Sequence, residues 1–262
     1  MADTVQSADG TTIAYEHTGS GTPLIVIGGA LNTRQSAAAL VPLLSADFSV
    51  VSYDRRGRGE STDTAPYAVE REIEDLAALV AAVGTPAVVY GHSSGAILAL
   101  EAGAAGIPVS KIVAYEPPYL TRPDAGESWE LFAEKVQSLV DQGDQGKAVE
   151  EFIRHTGGDF DEGIKQAPWW PALTALAHTL PHDLALTGDS MVPAERLLRI
   201  SVPTLALYGG ASPAWAEASA AAVAAAVQNG RKEVIEGQNH MVANELLAPV
   251  LRDFFSNRRA AD

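Results

Sequence analysis

Residues 91–95 read Gly-His-Ser-Ser-Gly, a G-x-S-x-G pattern with Ser93 at its centre. The pattern follows a short apolar run, 87–90, and precedes a stretch of small and apolar residues, 94–105. A sharp turn between a buried strand and a helix would hold Ser93 in a strained conformation and expose its hydroxyl above a sheet. Glycines on both sides carry no side chains that would collide in such a turn. We therefore predict that Ser93 is a nucleophile, and the alternative is a serine in an ordinary tight turn.

The composition of the chain excludes several classes of site and partner. None of its 262 residues is cysteine, which rules out disulfides, thiolate zinc sites, iron–sulfur clusters and a cysteine nucleophile. The net charge is −15, which repels phosphate backbones and anionic lipid, so we expect neither nucleic acid nor a membrane as a partner. The first ten residues lack the basic and apolar regions of a signal peptide, and no apolar run is long enough to span a membrane. These features predict a cytoplasmic protein.

Strand and helix patterns alternate along most of the chain. Apolar runs rich in β-branched residues predict strands after an N-terminal hairpin, at 23–27, 48–53, 87–90, 111–115, 203–208 and 233–235. Helical spacing of apolar residues predicts helices at 35–44, 69–83, 94–105, 214–227 and 245–258. This alternation predicts an α/β fold, with a mostly parallel sheet flanked by helices on both faces.

Residues 119–200 break this alternation. They contain amphipathic segments at 129–140, 147–155 and 193–200 and no convincing strand. A segment of this length is too long for a loop within a compact domain. We therefore predict a helical cap at 119–200, inserted into a core formed by residues 1–118 and 201–262.

Five sequence segments, taken together in their order along the chain, indicate a protein family more specifically than any one of them does. They are GGA at 28–30, YDRRGRGES at 53–61, GHSSG at 91–95, PTLALYGGASP at 203–213 and EGQNHMVANE at 236–245. In these segments, spread over nearly the whole chain, the sequence resembles the α/β-hydrolase family. The resemblance is to its compact, cap-bearing serine hydrolases, such as esterases and cofactor-free haloperoxidases. The second segment supplies Arg55, Arg56 and Arg58, which we predict to structure their loop.

The resemblance implies a Ser…acid…His triad and an oxyanion hole. Ser93 matches the nucleophile, and His240, in the loop before the last helix, matches the general base. The oxyanion hole would be formed by the backbone N–H groups of Ser94 and Ala30. Relatives often carry His-Gly where this chain has Gly28-Gly29, a modest departure because the donors are backbone groups. The resemblance implies no metal and no organic cofactor.

The acid of the triad departs from the family pattern. Relatives place an aspartate in the turn after the penultimate strand, and this chain has Ser212 there. A serine cannot supply the charge that stabilises an imidazolium. Glu116 directly follows the strand at 111–115, at the sheet edge where such sites lie, and it keeps the chain order Ser…acid…His. We predict Glu116 as the acid, with Asp183 and Asp189 as competitors and a purely polar strand terminus as the alternative.

These residues predict an enzyme that hydrolyses a carboxylic ester, lactone or thioester of a small apolar molecule through an acyl-enzyme. A carbon–carbon bond hydrolase, a cyclase or acyl transferase, and a non-catalytic or single-turnover binding protein stay open as alternatives. Trp169 and Trp170 are predicted to line the substrate pocket. Trp129, Phe132, Leu180 and Met191 are predicted behind them, or in the core of the cap. The sequence makes no prediction about oligomeric state.

Overall fold

The computed structural model describes residues 2–84, 86–120, 125–157 and 160–256. Within these ranges the strands are β1 (Asp3–Gln6), β2 (Thr12–Thr18), β3 (Thr22–Ile27), β4 (Phe48–Tyr53), β5 (Ala87–His92), β6 (Val109–Tyr115), β7 (Thr204–Gly209) and β8 (Gly230–Ile235). They form one sheet in the order β1-β2-β4-β3-β5-β6-β7-β8. The β1–β2 and β2–β4 pairs are antiparallel, and the other pairs are parallel. This arrangement confirms the mostly parallel sheet that the sequence predicts.

The helices follow the predicted order, with additions. The described helices are α1 (Val41–Leu44), α2 (Val69–Val83), α3 (Ser94–Ala104), α4 (Ala125–Asp141), α5 (Gln145–His155), α6 (Trp170–Thr174), α7 (Leu180–Thr187), α8 (Ala194–Leu197), α9 (Ala214–Ala226) and α10 (Asn244–Ser256). The sequence did not predict α6 or α7. The predicted continuation of the last helix to residue 258 lies outside the described residues. In the described part of the chain, no helix is long and apolar enough to cross a bilayer.

The helix predicted at 35–44 is wrong as one continuous element. A 3-10 turn at Arg34–Ala37 and the short helix α1 replace it. Pro42 has no backbone N–H to bond to the preceding turn, so an unbroken α-helix would lose a hydrogen bond there. The chain therefore makes two short turns in the predicted range.

Helices cover both faces of the sheet. Ile25 and Ile27 pack with α2, α3 and α9 on one face, whereas Leu24 and Val26 pack with α1 and α10 on the other. This alternation follows from the period of two residues in a strand. Because both faces are buried, the central strands are continuous apolar runs in the sequence.

The helices α4 to α8 all lie between β6 and β7, within the predicted insertion. A separate apolar cluster forms the core of the insertion: Trp129, Phe132, Val136, Ala148, Val149, Ala177, Leu180 and Leu184. Near its base, the backbone N–H of Leu120 donates to the carbonyl oxygen of Ser190 at 2.7 Å. The two ends of the insertion are therefore held together.

The carboxyl ends of the parallel strands meet at one edge of the sheet. The segments that follow β3, β5, β6, β7 and β8 at this edge carry Ala30, Ser93, Glu116, Ser212 and His240, respectively. The topology thus brings together residues that are distant in the sequence.

Candidate active site

Ser93 lies in a strained turn between β5 and α3. Its backbone has φ 57° and ψ −125°, a conformation that residues with a side chain rarely adopt. A Cβ at Gly91 would collide with the carbonyl oxygen of Gly95, and a Cβ at Gly95 would collide with that of Ile27. Both glycines are therefore required by the close approach of the strand and helix. The turn has the strand-to-helix form that the GHSSG segment predicts.

Glu116 is fully buried at the end of β6, with a positive φ of 46°. One carboxylate oxygen, Oε2, accepts a hydrogen bond from His240 Nδ1 at 2.7 Å. The other, Oε1, accepts from the backbone N–H of Gly209 at 2.8 Å and from the Ser212 hydroxyl at 2.6 Å. Burial raises the pKa of Glu116, but the hydrogen bonds from His240, Ser212 and Gly209 outweigh it and lower the pKa below its ordinary value. The carboxylate is therefore charged at neutral pH.

Ser212 therefore contacts the predicted acid from the turn in which the family pattern has aspartate. Its hydroxyl donates to Glu116, so the departure from the family pattern supports a carboxylate from the neighbouring strand end. The competing acids have other partners: Asp183 binds Ser94, Arg55 and Arg58, and Asp189 accepts from a backbone N–H two residues on. In the described residues, neither aspartate is hydrogen-bonded to His240.

His240 lies in the loop between β8 and α10, which two side chains hold in place. The Tyr115 hydroxyl donates to the carbonyl oxygen of Asn239 at 2.6 Å, and His92 Nε2 lies 2.8 Å from the carbonyl oxygen of His240. The bond to Glu116 assigns a proton to Nδ1 of His240, which leaves a lone pair on Nε2. No hydrogen bond joins this Nε2 to Ser93 Oγ in the structure, so that predicted contact stays a prediction. The ring centroids of His240 and His92, the chain neighbour of Ser93, are 4.7 Å apart.

The two predicted oxyanion donors flank Ser93. Ser94 is the first residue of α3, where the helix offers its N–H no acceptor. On the other side, a Cβ at Gly29 would lie 3.0 Å from Ser93 Cβ, which places the loop that contains Ala30 against Ser93. Among the hydrogen bonds of the described residues, none uses the N–H of Ala30 or of Ser94.

The predicted pocket residues lie in different surroundings. Trp169 is 53% exposed, whereas Trp170 is half-buried against the apolar core of the insertion. Trp129, Phe132 and Leu180 are buried in that core. Their core positions follow the alternative that the sequence left open, and a role for Trp169 and Trp170 in the pocket stays a prediction.

Trp215 is a further residue of the site region that the sequence did not single out. It is half-buried near the start of α9, and its ring centroid lies 6.3 Å from that of His240. The available signal was its position three residues after Ser212, in a turn that the family resemblance already placed at the site. An indole at this distance is an apolar surface beside the predicted base.

The pH dependence of stability should report the surroundings of His92. Burial and the neighbouring His240 lower the pKa of His92 from 6.5 to about 4. Between these two values the unfolded chain binds more protons, so stability is retained above pH 6.5 and lost as the pH falls toward 4. Over this pH range we expect the melting temperature of His92→Gln to drop by a few degrees less than that of the wild type. Thermal scans at several pH values measure this difference, and identical slopes for the two proteins would contradict it.

Comparison with known proteins identifies the family of the fold. A family model described as the alpha/beta hydrolase family matches residues 24–249. A solved α/β-hydrolase from Sphaerobacter thermophilus DSM 20745 is 45% identical, with a TM-score of 0.88 over 97% of this chain and 100% of that one. A non-heme haloperoxidase from Rhodococcus erythropolis is 27% identical over 252 residues, covering 90% of this chain and 92% of that protein. An esterase from Exiguobacterium antarcticum, 20% identical, shares the fold with a TM-score of 0.79 over 98% of this chain and 100% of that one.

The family match covers most of the chain, from β3 into α10. The fold predicted from the alternating strands and helices is confirmed by this match and by the similarity of the Sphaerobacter structure along nearly the full length of both chains. The chain belongs to the α/β-hydrolase family and is an enzyme of the hydrolase class.

Proposed function

We propose that the protein is a serine hydrolase that cleaves a carboxylic ester, lactone or thioester of a small apolar molecule. The observation that carries this proposal is the 2.7 Å hydrogen bond between His240 Nδ1 and the buried carboxylate of Glu116. It orients an imidazole, with Nε2 free to accept a proton, beside the strained turn of Ser93. The three side chains have the roles of nucleophile, base and acid in a triad.

In the proposed reaction, Ser93 Oγ attacks the carbonyl carbon while His240 Nε2 takes the hydroxyl proton. The oxyanion that forms accepts hydrogen bonds from the N–H groups of Ala30 and Ser94. Glu116 stabilises the transient imidazolium. The alcohol or thiol then leaves with the proton from His240, which yields an acyl-enzyme. Water then attacks the acyl-enzyme with His240 again as base, His240 returns a proton to Ser93 Oγ, and the carboxylic acid product is released.

An apolar substrate is supported by what surrounds the site. Ala30 and Leu31 pack against the apolar core of the insertion, so residues 119–200 adjoin the oxyanion loop as a cap would. Trp215 adds an apolar surface beside His240. Such surroundings favour acyl or alcohol groups without charge.

The test is multiple turnover together with covalent labelling. The purified protein is given p-nitrophenyl acetate and butyrate in large excess, and separate samples receive a fluorophosphonate followed by peptide mapping. We expect many turnovers per protein molecule and a single label on Ser93. One turnover or none would favour the binding-protein alternative, and a label elsewhere would refute the assignment of Ser93.

A second candidate function is halide oxidation through a peracid. It is favoured by the 27% identity to the haloperoxidase from Rhodococcus. If hydrogen peroxide replaces water in deacylation, the acyl-enzyme yields a peroxy acid and free Ser93. The peroxy acid oxidises bromide to hypobromous acid and becomes the carboxylic acid. Bromination of monochlorodimedone that requires both acetate and peroxide would support this activity, and its absence alongside ester hydrolysis would exclude it.

The two adjacent tryptophans give a prediction about substrate selectivity. Because Trp169 is 53% exposed, its replacement should leave the melting temperature nearly unchanged. If the insertion caps the site as proposed, Trp169→Ala should shift the ratio of kcat/KM for butyrate and acetate esters by about tenfold. Trp170→Ala is the comparison, since its packing against the apolar core predicts a lower melting temperature. An unchanged ratio in Trp169→Ala would remove this residue from the pocket.

A further inference from the structure

A buried ion cluster links the insertion to both sides of the nucleophile. Asp183 on α7 is 3% exposed and accepts three hydrogen bonds. Its Oδ1 binds the Ser94 hydroxyl at 2.7 Å and Arg55 Nη1 at 2.8 Å, and its Oδ2 binds Arg58 Nη2 at 2.7 Å. Burial raises the pKa of Asp183, but Arg58 and Arg55 outweigh it and lower the pKa to about 2. The carboxylate of Asp183 is therefore charged. Glu72 balances the positive charge of Arg55, from which its carboxylate accepts two hydrogen bonds.

One arm of this cluster holds the peptide group that contains the first oxyanion donor. Arg58 Nη1 donates to the carbonyl oxygen of Gly29 at 2.7 Å. That carbonyl belongs to the same planar peptide unit as the N–H of Ala30, and in a trans peptide the two groups point in opposite directions. A guanidinium fixed on the oxygen therefore fixes the direction of the N–H. It also polarises the peptide, which makes its N–H a stronger donor.

The other arm holds the residue that supplies the second donor. The side chain of Ser94 is hydrogen-bonded to Asp183 Oδ1, and its backbone N–H is the second member of the predicted oxyanion hole. The backbone next to each donor is strained: Leu31, which follows Ala30, and Ser93, which precedes Ser94, both have φ 57°. Strained backbone persists only where surrounding contacts determine it, and Asp183 supplies such a contact directly at Ser94 and through Arg58 at the Gly29 carbonyl.

We propose that Asp183 is a positioning residue that holds both donors of the oxyanion hole, through Ser94 on one side and through Arg58 and the Gly29 carbonyl on the other. This proposal rests on the proposed function, because it concerns the same transition state. Since Asp183 lies on α7, within the insertion, the two donors of the oxyanion hole are aligned only when the insertion is docked on the core. Removing the charge of Asp183 should weaken transition-state binding more than substrate binding.

The test compares two buried aspartates that each bind an arginine. Asp183→Asn is the variant of interest, and Asp75→Asn is the control. Asp75 is 1% exposed and accepts two hydrogen bonds of 2.8 Å from Arg56, and among the described residues it is not hydrogen-bonded to Ser94, Gly28 or Gly29. For each protein one measures the melting temperature, kcat and KM with an aryl ester. The inhibition constant of an aryl trifluoromethyl ketone, which forms a tetrahedral oxyanion on serine, is measured alongside.

For Asp183→Asn we expect kcat to fall by about 10- to 100-fold with KM within about threefold, since loss of one oxyanion donor costs about 10²–10³ in kcat. The inhibition constant of the ketone should rise by a similar factor. Asp75→Asn should lose thermal stability with kcat and ketone affinity nearly unchanged. A kcat near the wild-type value in folded Asp183→Asn, or an equal loss in both variants, would overturn the proposal.

Ser94→Ala keeps the proposal testable if Asp183→Asn does not fold. It removes the hydrogen bond that Ser94 donates to Asp183 and the longer one, 3.2 Å, that it accepts from Arg55, but leaves the backbone N–H and the ion pairs in place. We expect a fall of about threefold to tenfold in kcat at constant KM, the size expected when hydrogen bonds to charged groups are lost. An unchanged kcat would overturn the proposal. Wild-type protein that hydrolyses esters without labelling at Ser93 would refute the proposed function as well, whereas normal labelling with unaffected variants refutes the positioning role alone.

Discussion

Ser93→Ala should abolish nearly all hydrolysis of an activated aryl ester. Removal of the nucleophile from a serine protease costs about 10⁶ in kcat, and we expect a loss of at least about 10⁴ here, with the remainder set by background reaction. The substitution removes one oxygen and leaves the strained backbone in place, so the melting temperature should change little. Initial rates at saturating substrate and equal protein concentration give the measurement, and fluorophosphonate labelling should be lost in the variant.

The matched control for this prediction is Ser110→Ala. Ser110 lies near the start of β6, at the opposite end of the strand from Glu116, and its hydroxyl donates to a backbone carbonyl at 3.2 Å. It should retain normal turnover. Ser93→Ala with more than about a tenth of wild-type kcat would show that Ser93 is not the nucleophile.

Glu116→Gln should reduce kcat by about 10⁴, as the loss of the corresponding acid does in a serine protease. Glutamine keeps the shape of the side chain but has no charge to stabilise the imidazolium of His240. Its amide nitrogen would also compete with Nδ1–H as a donor, which favours the wrong tautomer. The variant should fold, because Gly209 and Ser212 can still donate to its amide oxygen. Near-normal turnover in Glu116→Gln would refute the assignment of the acid.

A double variant makes this test more specific. Ser212 lies 2.6 Å from Glu116 and occupies the position where relatives carry aspartate. We expect Glu116→Gln combined with Ser212→Asp to recover about 10- to 100-fold of the lost kcat, because it returns a carboxylate to the other strand end. Ser212→Ala alone should cost only about threefold to tenfold, since it removes one hydrogen bond from a charged acceptor. A larger loss in Ser212→Ala than in Glu116→Gln would reverse the proposed roles.

The same variant predicts a change in acid stability. The pKa of Glu116 is lowered from 4.5 in the folded protein, so its ionisation contributes stability above that value that is lost as the pH falls below it. Glu116→Gln lacks this contribution. Its melting temperature should therefore fall less steeply below pH 4.5 than that of the wild type.

Local sequence signals were enough to predict the sheet and the sharp strand-to-helix turn at Ser93. Parallel strands that are buried on both faces are continuous apolar runs in the sequence. The bounds of β3 to β7 could therefore be predicted to within a few residues. The position of Glu116 near Ser93 could be predicted from topology, since the carboxyl ends of the parallel neighbours β5 and β6 lie side by side. The roles of these residues are chemical proposals, and the variants above test them.

The contacts made by Asp183 could not be predicted in the same way. Its partner Arg55 lies 128 residues away, and α7 has no sequence signal that points its charged side chain inward. An aspartate in an amphipathic segment is normally assigned to solvent. Only the packing of the insertion against Ala30 and Leu31 shows that this carboxylate is buried. Trp215 could not be predicted for a related reason: no sequence signal distinguishes an aromatic residue that lines a pocket from one in the core.

The insertion between β6 and β7 also bears on how the chain folds. These two strands are neighbours in the sheet, yet residues 116–203 separate them. Closing a flexible loop of that length costs on the order of 4 kcal/mol in chain entropy. The Leu120–Ser190 hydrogen bond shows that the insertion closes on itself at its base, so an insertion that folds first leaves β7 a far shorter search. The part of the chain from β7 onward, with β8 and His240, would then add to a sheet in which six of the eight described strands are already formed, and His240 would reach its place beside Glu116 late in folding, in the same step that completes the sheet.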